Sequence, residues 1–153
     1  REARPARLVI FGEGAQRGEI EALRRRLGLE ADVDLPGATS NPYAAMRRAS
    51  LFVLSSRSEG LPTVLVEALA CGCPIVSTAC PSGPAEILDG GRFGILVPPE
   101  NPQALAVGIL RALDQTWDRE ELVHRGAQFS AAASLRQYLA ILNASPATTA
   151  AAA

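Results

Sequence analysis

The sequence predicts an α/β domain built on a doubly wound parallel sheet, and three observations carry that prediction. Short, continuous apolar runs recur between residues 7 and 97, each closed by Gly or Pro or a polar loop, as in strands buried on both faces. Segments with helical spacing separate these runs, which makes successive βαβ units. The 153 residues, 48% hydrophobic and 20% charged, are enough for one domain of about 150 residues with its own core.

Arg7 to Phe11 (RLVIF) is the first strand, β-branched and apolar, and is expected to be buried. Gly12, Glu13 and Gly14 turn the chain into a helix over Glu19–Leu27. That helix places Ile20, Leu23 and Leu27 on one face and Arg24, Arg25 and Arg26 outside, with Gly28 at its C-terminal end. Asp32 to Leu35 is the second strand, stopped by Pro36 and Gly37. Asn41 and Pro42 fit the cap and first position of a short helix through Arg48. Leu51 to Leu54 (LFVL) is the third strand. Pro62 opens the next helix and Gly72 ends it, and Pro74–Ser77 and Gly94–Val97 are the fourth and fifth strands. From Pro102 the pattern is helical only: a stripe of Leu105, Ile109, Leu110 and Leu113, then helices over 119–128 and 131–142. The expected domain is therefore Rossmann-like over residues 1–143. A low-complexity, disordered tail is expected over 144–153.

Several kinds of function are excluded at this stage. The net charge of −1 gives no basic field to attract nucleic acid or an anionic membrane. All fifteen basic residues are Arg, so neither a Schiff-base lysine nor a P-loop lysine exists. The longest apolar tract, Leu61 to Val76, is interrupted by Glu67, Gly72 and Pro74 and is too short to span a bilayer. Cys71, Cys73 and Cys80 are an odd number of cysteines within ten residues, and the one His, His124, is far away in sequence. Free, mostly buried thiols and no metal site are expected, in a cytoplasmic protein. With no Met at position 1 and no leader, the chain reads as a piece of something longer.

In open parallel sheets, ligands bind beyond the carboxyl ends of the strands. The most informative such loop runs from Ser55 to Gly72 (SSRSEGLPTVLVEALACG). Glu67 is the sole charge between Leu61 and Val76. A buried carboxylate needs a partner. Two hydroxyls of a ligand diol would serve, and so would a backbone amide or Arg57; the residues alone leave these level. Glu59 precedes the helix, where its N-terminal dipole is a sufficient reason for an acid. Gly60 permits close backbone approach, and the amides of Gly60, Leu61, Thr63 and Val64 around Pro62 form an anion site suited to a pyrophosphate. Gly12-Glu13-Gly14 with Gly18 is one residue too long for a dinucleotide fingerprint and reads as a strand-to-helix turn. Cys80-Pro81-Ser82-Gly83-Pro84 with Glu86 reads as a capped turn into a short helix.

An ordered series of motifs then resembles a known family. It comprises Phe11-Gly12-Glu13-Gly14, Pro36-Gly37, Ser56 to Pro62, Glu67 to Ser77, Ser82 to Ile87 and Gly94 to Val97. The series is similar to the C-terminal domain of family-four retaining glycosyltransferases, two-domain enzymes of the GT-B fold, with Glu59 and Glu67 forming the E-x7-E signature. The resemblance implies that Glu67 binds the ribose hydroxyls of a UDP- or GDP-sugar and that Glu59, as the catalytic residue, contacts the transferred sugar. It places Gly60, Leu61, Pro62, Thr63 and Val64 on sugar hydroxyls and phosphate. Gly37 is placed beside the base, and Gly12 joins the donor site. It implies no metal or other cofactor. It also implies a saccharide or lipid-linked acceptor held by a separate N-terminal domain, with peripheral contact at the inner membrane face. The family's diphosphate Arg and Lys precede the strand at Arg7, and this chain has no Lys. The isolated chain is therefore expected to bind donor weakly and to transfer nothing. The alternative is a Rossmann-like nucleotide-binding module without catalysis.

Overall fold

The computed structural model describes residues 5–144, and the chain divides into two units, residues 1–42 and 43–153. In the first unit, β1 (Leu8–Phe11) and β2 (Val33–Gly37) run parallel, joined by α1 (Arg17–Arg26). α1 ends where the sequence places its stop. Gly28 takes φ +65°, its amide bonds to the Arg25 carbonyl, and the Leu29 amide bonds to the Arg24 carbonyl. This is the Schellman arrangement that a glycine past the helix end permits.

Three expectations fail in this unit. β2 does not stop at Leu35. Val9 faces Asp34 but Phe11 faces Gly37, so an extra residue is accommodated between the two pairings. Pro36 sits at that irregularity, where a missing N–H costs no ladder bond. β1 is not buried: its four residues are 40–47% exposed. Apolarity secures a place in a sheet, whereas burial needs further layers, and in its own unit β1 has one neighbouring strand. Finally, Arg24 is half-buried rather than outside, because its Nη1 donates to the Val33 carbonyl at 3.0 Å.

In the second unit, β3 (Phe52–Leu54), β4 (Ile75–Thr78) and β5 (Ile95–Val97) form a parallel sheet with β4 in the middle. α2 (Pro42–Arg48) leads into it, and α3 (Thr63–Ala70) connects β3 to β4. α4 (Pro84–Ile87) and a 3-10 turn at Asp89–Gly91 connect β4 to β5. α5 (Pro102–Asp114), α6 (Arg119–Ala127) and α7 (Ala131–Ala144) follow. Every residue of β4 is buried. The main core joins Leu65, Ala68 and Leu69 of α3 to Ile75, Ile87, Leu88 and Leu122, and a smaller cluster joins Val76, Val97 and Ala112.

Side-chain caps set the starts of the late helices. The Asn101 side chain accepts from the Ala104 amide at 2.9 Å, and Asp118 accepts from Glu120 and Glu121. The stripe expected on α5 holds for Leu105, Ile109 and Leu113, which are half-buried, the first two packed against the smaller cluster, but not for Leu110. Leu110 is 50% exposed, while Gly108 and Ala112 face inward. A Cβ on Gly108 would lie 2.8 Å from Val97 Cγ1, so only glycine lets the helix approach the sheet this closely. Pro62 precedes α3 rather than opening it. α7 includes Ala144, and the rest of the expected tail lies outside the described residues.

Candidate functional site

The parallel strands bring the expected loops to their carboxyl ends, in each unit separately. In the first unit, the Gly12 amide donates to the Gly37 carbonyl at 2.9 Å. Both glycines have positive φ, +128° and +86°, a conformation that side chains disfavour. Arg17 braces this end: it pairs with Glu13 and Glu21, both at 2.9 Å, and donates to the Leu35 carbonyl at 2.8 Å. A Cβ on Gly37 would come within 2.5 Å of Glu13 Oε1. Gly12 and Gly37 are thus side by side, and the turn at Gly12-Glu13-Gly14 leads into α1 as the sequence indicates.

In the second unit, the loop after β3 carries Glu59. Ser56 Oγ donates to Glu59 Oε1 at 2.6 Å, and the Ser56 carbonyl accepts from Thr78 Oγ1 at 2.6 Å. The end of β4 therefore fixes the loop that holds the carboxylate. Ser56 and Thr78 were given no role by sequence reasoning; a hydroxyl three residues before the acid was the available signal. Glu59 is half-buried, Gly60 and Leu61 are exposed, and Pro62 is buried. Thr63 and Val64 open α3, where amides have no intrahelical acceptor.

Glu67 lies in the same segment, further along α3. Its apolar flanks led to the expectation of a covered carboxylate, but it is only half-buried. α3 buries Leu65, Ala68 and Leu69, and Glu67, two residues beyond Leu65, points roughly 200° around the helix. Among the described residues, no hydrogen bond or ion pair engages the Glu67 carboxylate. Arg57, one partner considered for it, pairs instead with Glu100 at 3.2 Å. The charge of Glu67 is felt one turn on at Cys71. Burial pushes that thiol up, Arg47 opposes the rise and Glu67 adds to it.

Cys71, Cys73 and Cys80 are all free, and Cys73 and Cys80 are buried. Burial pushes Cys73 up to about 11, against the opposing charge of Arg119. Among the described residues, no group of three or more His, Cys, Asp or Glu is placed to hold a metal ion. No described helix is long and apolar enough to cross a membrane.

A parallel α/β fold with glycine and carboxylate loops at its strand ends defines a class of domain that takes its ligands there. Residues 1–129 match the family described as glycosyl transferases group 1, and the chain belongs to that family. It is similar to an N-acetylgalactosamine-N,N'-diacetylbacillosaminyl-diphospho-undecaprenol 4-alpha-N-acetylgalactosaminyltransferase of Campylobacter jejuni. The two are 39% identical over 108 residues, which is 71% of this chain and 30% of that protein. Among solved structures, the lipopolysaccharide outer core galactosyltransferase WaaB matches with a TM-score of 0.80 and 25% identity, over 90% of this chain and 40% of WaaB. HepE of Anabaena, solved in complex with UDP, matches with a TM-score of 0.75 and 24% identity, again over 90% of this chain and 40% of that one. The chain thus spans less than half the length of these relatives and has the fold of a GT-B glycosyltransferase domain.

Proposed function

We propose that the chain is the donor-binding domain of a glycosyltransferase that moves a sugar from a nucleotide-sugar to a glycan or lipid-linked acceptor with retention. The observation that carries this is Glu67: a half-buried carboxylate without a hydrogen-bond or ion-pair partner among the described residues, eight residues after Glu59. A carboxylate in that state has its acceptor capacity to offer, and a ribose diol supplies two donors at matching spacing.

In this reading Glu67 holds the ribose and the Gly60–Val64 amides hold phosphate oxygens, helped by the positive end of α3. Glu59, oriented by Ser56, contacts the transferred sugar. The bond from the anomeric carbon to the phosphate oxygen breaks, and a bond to the acceptor hydroxyl forms on the same face. The leaving phosphate takes the acceptor's proton. Helix amides hold the charge that develops on the phosphate, with no metal required. The carboxylates act by binding and orientation, not as the acid and base of a hydrolase.

The name of the Campylobacter relative, which specifies a diphospho-undecaprenol acceptor, favours a lipid-linked acceptor, and HepE with UDP favours a uridine donor. The whole protein then works at the cytoplasmic membrane face, and this chain alone binds donor weakly and transfers nothing. Titration with UDP-, GDP- and ADP-sugars tests the reading by calorimetry and amide shifts. One base should be preferred, with shifts at Gly60 and Glu67. Glu67→Ala should lose nucleotide binding, and both Glu67→Ala and Glu59→Ala should abolish transfer in the whole protein. The reading falls if no nucleotide moves those signals, or if Glu59→Ala leaves transfer intact.

A further inference from the structure

The guanidinium of Arg125, on α6, is bonded to the backbone of α4. Its Nε donates to the Ile87 carbonyl at 2.9 Å, its Nη2 to the Glu86 carbonyl at 2.5 Å, and its Nη1 to Gln128 Oε1 at 2.6 Å. Its Cζ lies 5.4 Å from the Phe93 ring centre and 4.9 Å from that of Phe129. A planar fork held by three acceptors and two rings has little freedom.

What α4 does with its other end gives this contact a meaning beyond packing. The Ile87 amide donates to the Gly83 carbonyl at 2.8 Å. Gly83 itself, at φ +80°, abuts the turn between Glu59 and α3. A Cβ there would overlap the Pro62 ring, lie 2.7 Å from the Gly60 carbonyl and lie 3.4 Å from Leu61 Cα. The residue after Arg125 abuts the far end of α3, the helix this turn leads into. A Cβ on Gly126 would lie 2.7 Å from the Ala70 amide nitrogen and 3.1 Å from the Leu69 carbonyl carbon. Two consecutive residues of α6 therefore set α4, which abuts the turn, and α3, which continues it.

We infer that Arg125 is a positioning residue: through α4 and Gly83 it fixes where the Gly60–Pro62 turn, and so the amides that open α3, stand. The ligand those amides receive rests on the function proposed above; the relay itself does not. Arg92 is a natural control. It also lies over Phe93, at 5.0 Å, and pairs with Glu121 at 2.8 Å, but among the described residues its side chain has no bond to an α4 carbonyl.

The test compares Arg125→Lys, Arg92→Ala and Gly83→Ala in this chain, reading amide shifts and exchange at Gly60, Leu61 and Thr63, with UDP as the nucleotide probe. Arg125→Lys keeps the charge but loses the fork. It should move those three amides, speed their exchange and weaken UDP binding about tenfold, as small misplacement of a binding group does. Gly83→Ala should move the same amides with Arg125 intact, which keeps the test open if the Arg125 variant does not fold. Arg92→Ala should leave them, and the UDP affinity, unchanged at a comparable loss of Tm. Folded Arg125→Lys and Gly83→Ala with unmoved amides would overturn the inference, as would equal movement in Arg92→Ala. If wild-type chain does not bind UDP or another nucleotide, the proposed function fails, while the amide comparison still decides the role of Arg125.

Discussion

β1 and β4 are both four-residue parallel strands, and they end in opposite environments. LVIF of β1 is 40–47% exposed, while in IVST of β4 the Ser77 and Thr78 side chains are 0% and 3% exposed. A phenylalanine is thus more exposed than a threonine in an equivalent element. The difference lies in the neighbours. β4 has a strand on each side, Ile75 in a cluster with α3, and Val76 beneath α5. Its hydroxyls are satisfied within that packing, Ser77 on the Thr78 carbonyl at 3.0 Å and Thr78 on Ser56. β1 has β2 alone in its unit. Apolar continuity marks a strand, and layering decides burial.

The contrast breaks most directly by truncation. Leu65→Ala or Leu69→Ala removes a side chain that is 0% exposed and should cost about 2–5 kcal/mol. Val9→Ala, at 43% exposure, should cost under about 1 kcal/mol. Urea denaturation checks both, and equal losses would show that β1 is packed as tightly as the main core. Glycines sharpen the same contrast. Gly126→Ala forces a Cβ against the Ala70 backbone and should cost about 1–3 kcal/mol. Gly14→Ala meets nothing within 4 Å and should be neutral within about 0.5 kcal/mol.

These glycines also show what was legible in the sequence. The positions of the strands, the alternation with helices and both carboxylates are written locally, in apolar runs and in the spacing of Glu59 and Glu67. Gly28 announced the end of α1 because a positive φ past a helix is a local need. Gly108 and Gly126 gave no such sign, since their reason is a neighbour that folding alone supplies. The same holds for Arg125 and Ser56, whose partners lie on other elements or across a turn. On α5 the stripe of Leu105, Ile109 and Leu113 was legible, but Leu110 was misplaced for this reason too: it has the right residue type, while Gly108 makes the close contact.

The cysteines carry the contrast into titration. Burial raises the Cys73 thiol from 9.0 to about 11. In the unfolded chain that thiol releases its proton first, so the folded state holds more protons between these values. Stability from this group is therefore complete below pH 9 and lost as pH rises toward 11. Midpoints of urea unfolding should fall across that window in wild type and fall less in Cys73→Ala. At pH 8, iodoacetamide should label half-buried Cys71 before buried Cys73 and Cys80, and peptide mass mapping reads the order.

Glu67, like Gly14, should show one of the smallest changes in stability. A residue kept for the fold loses stability when its charge is removed, and Glu59 fits that pattern in part. Glu59→Gln weakens a charge-assisted bond from Ser56 and should cost about 1 kcal/mol. Glu67 has no such bond among the described residues, so Glu67→Gln should leave stability within about 0.5 kcal/mol. If it also loses nucleotide affinity, an effect on ligand without an effect on folding separates a binding carboxylate from a structural one. A Glu67→Gln protein that unfolds like a core mutant would mean that the carboxylate is engaged by the protein itself. The half-buried face of α3 would then belong with β4 and the core, and the ribose would need another partner.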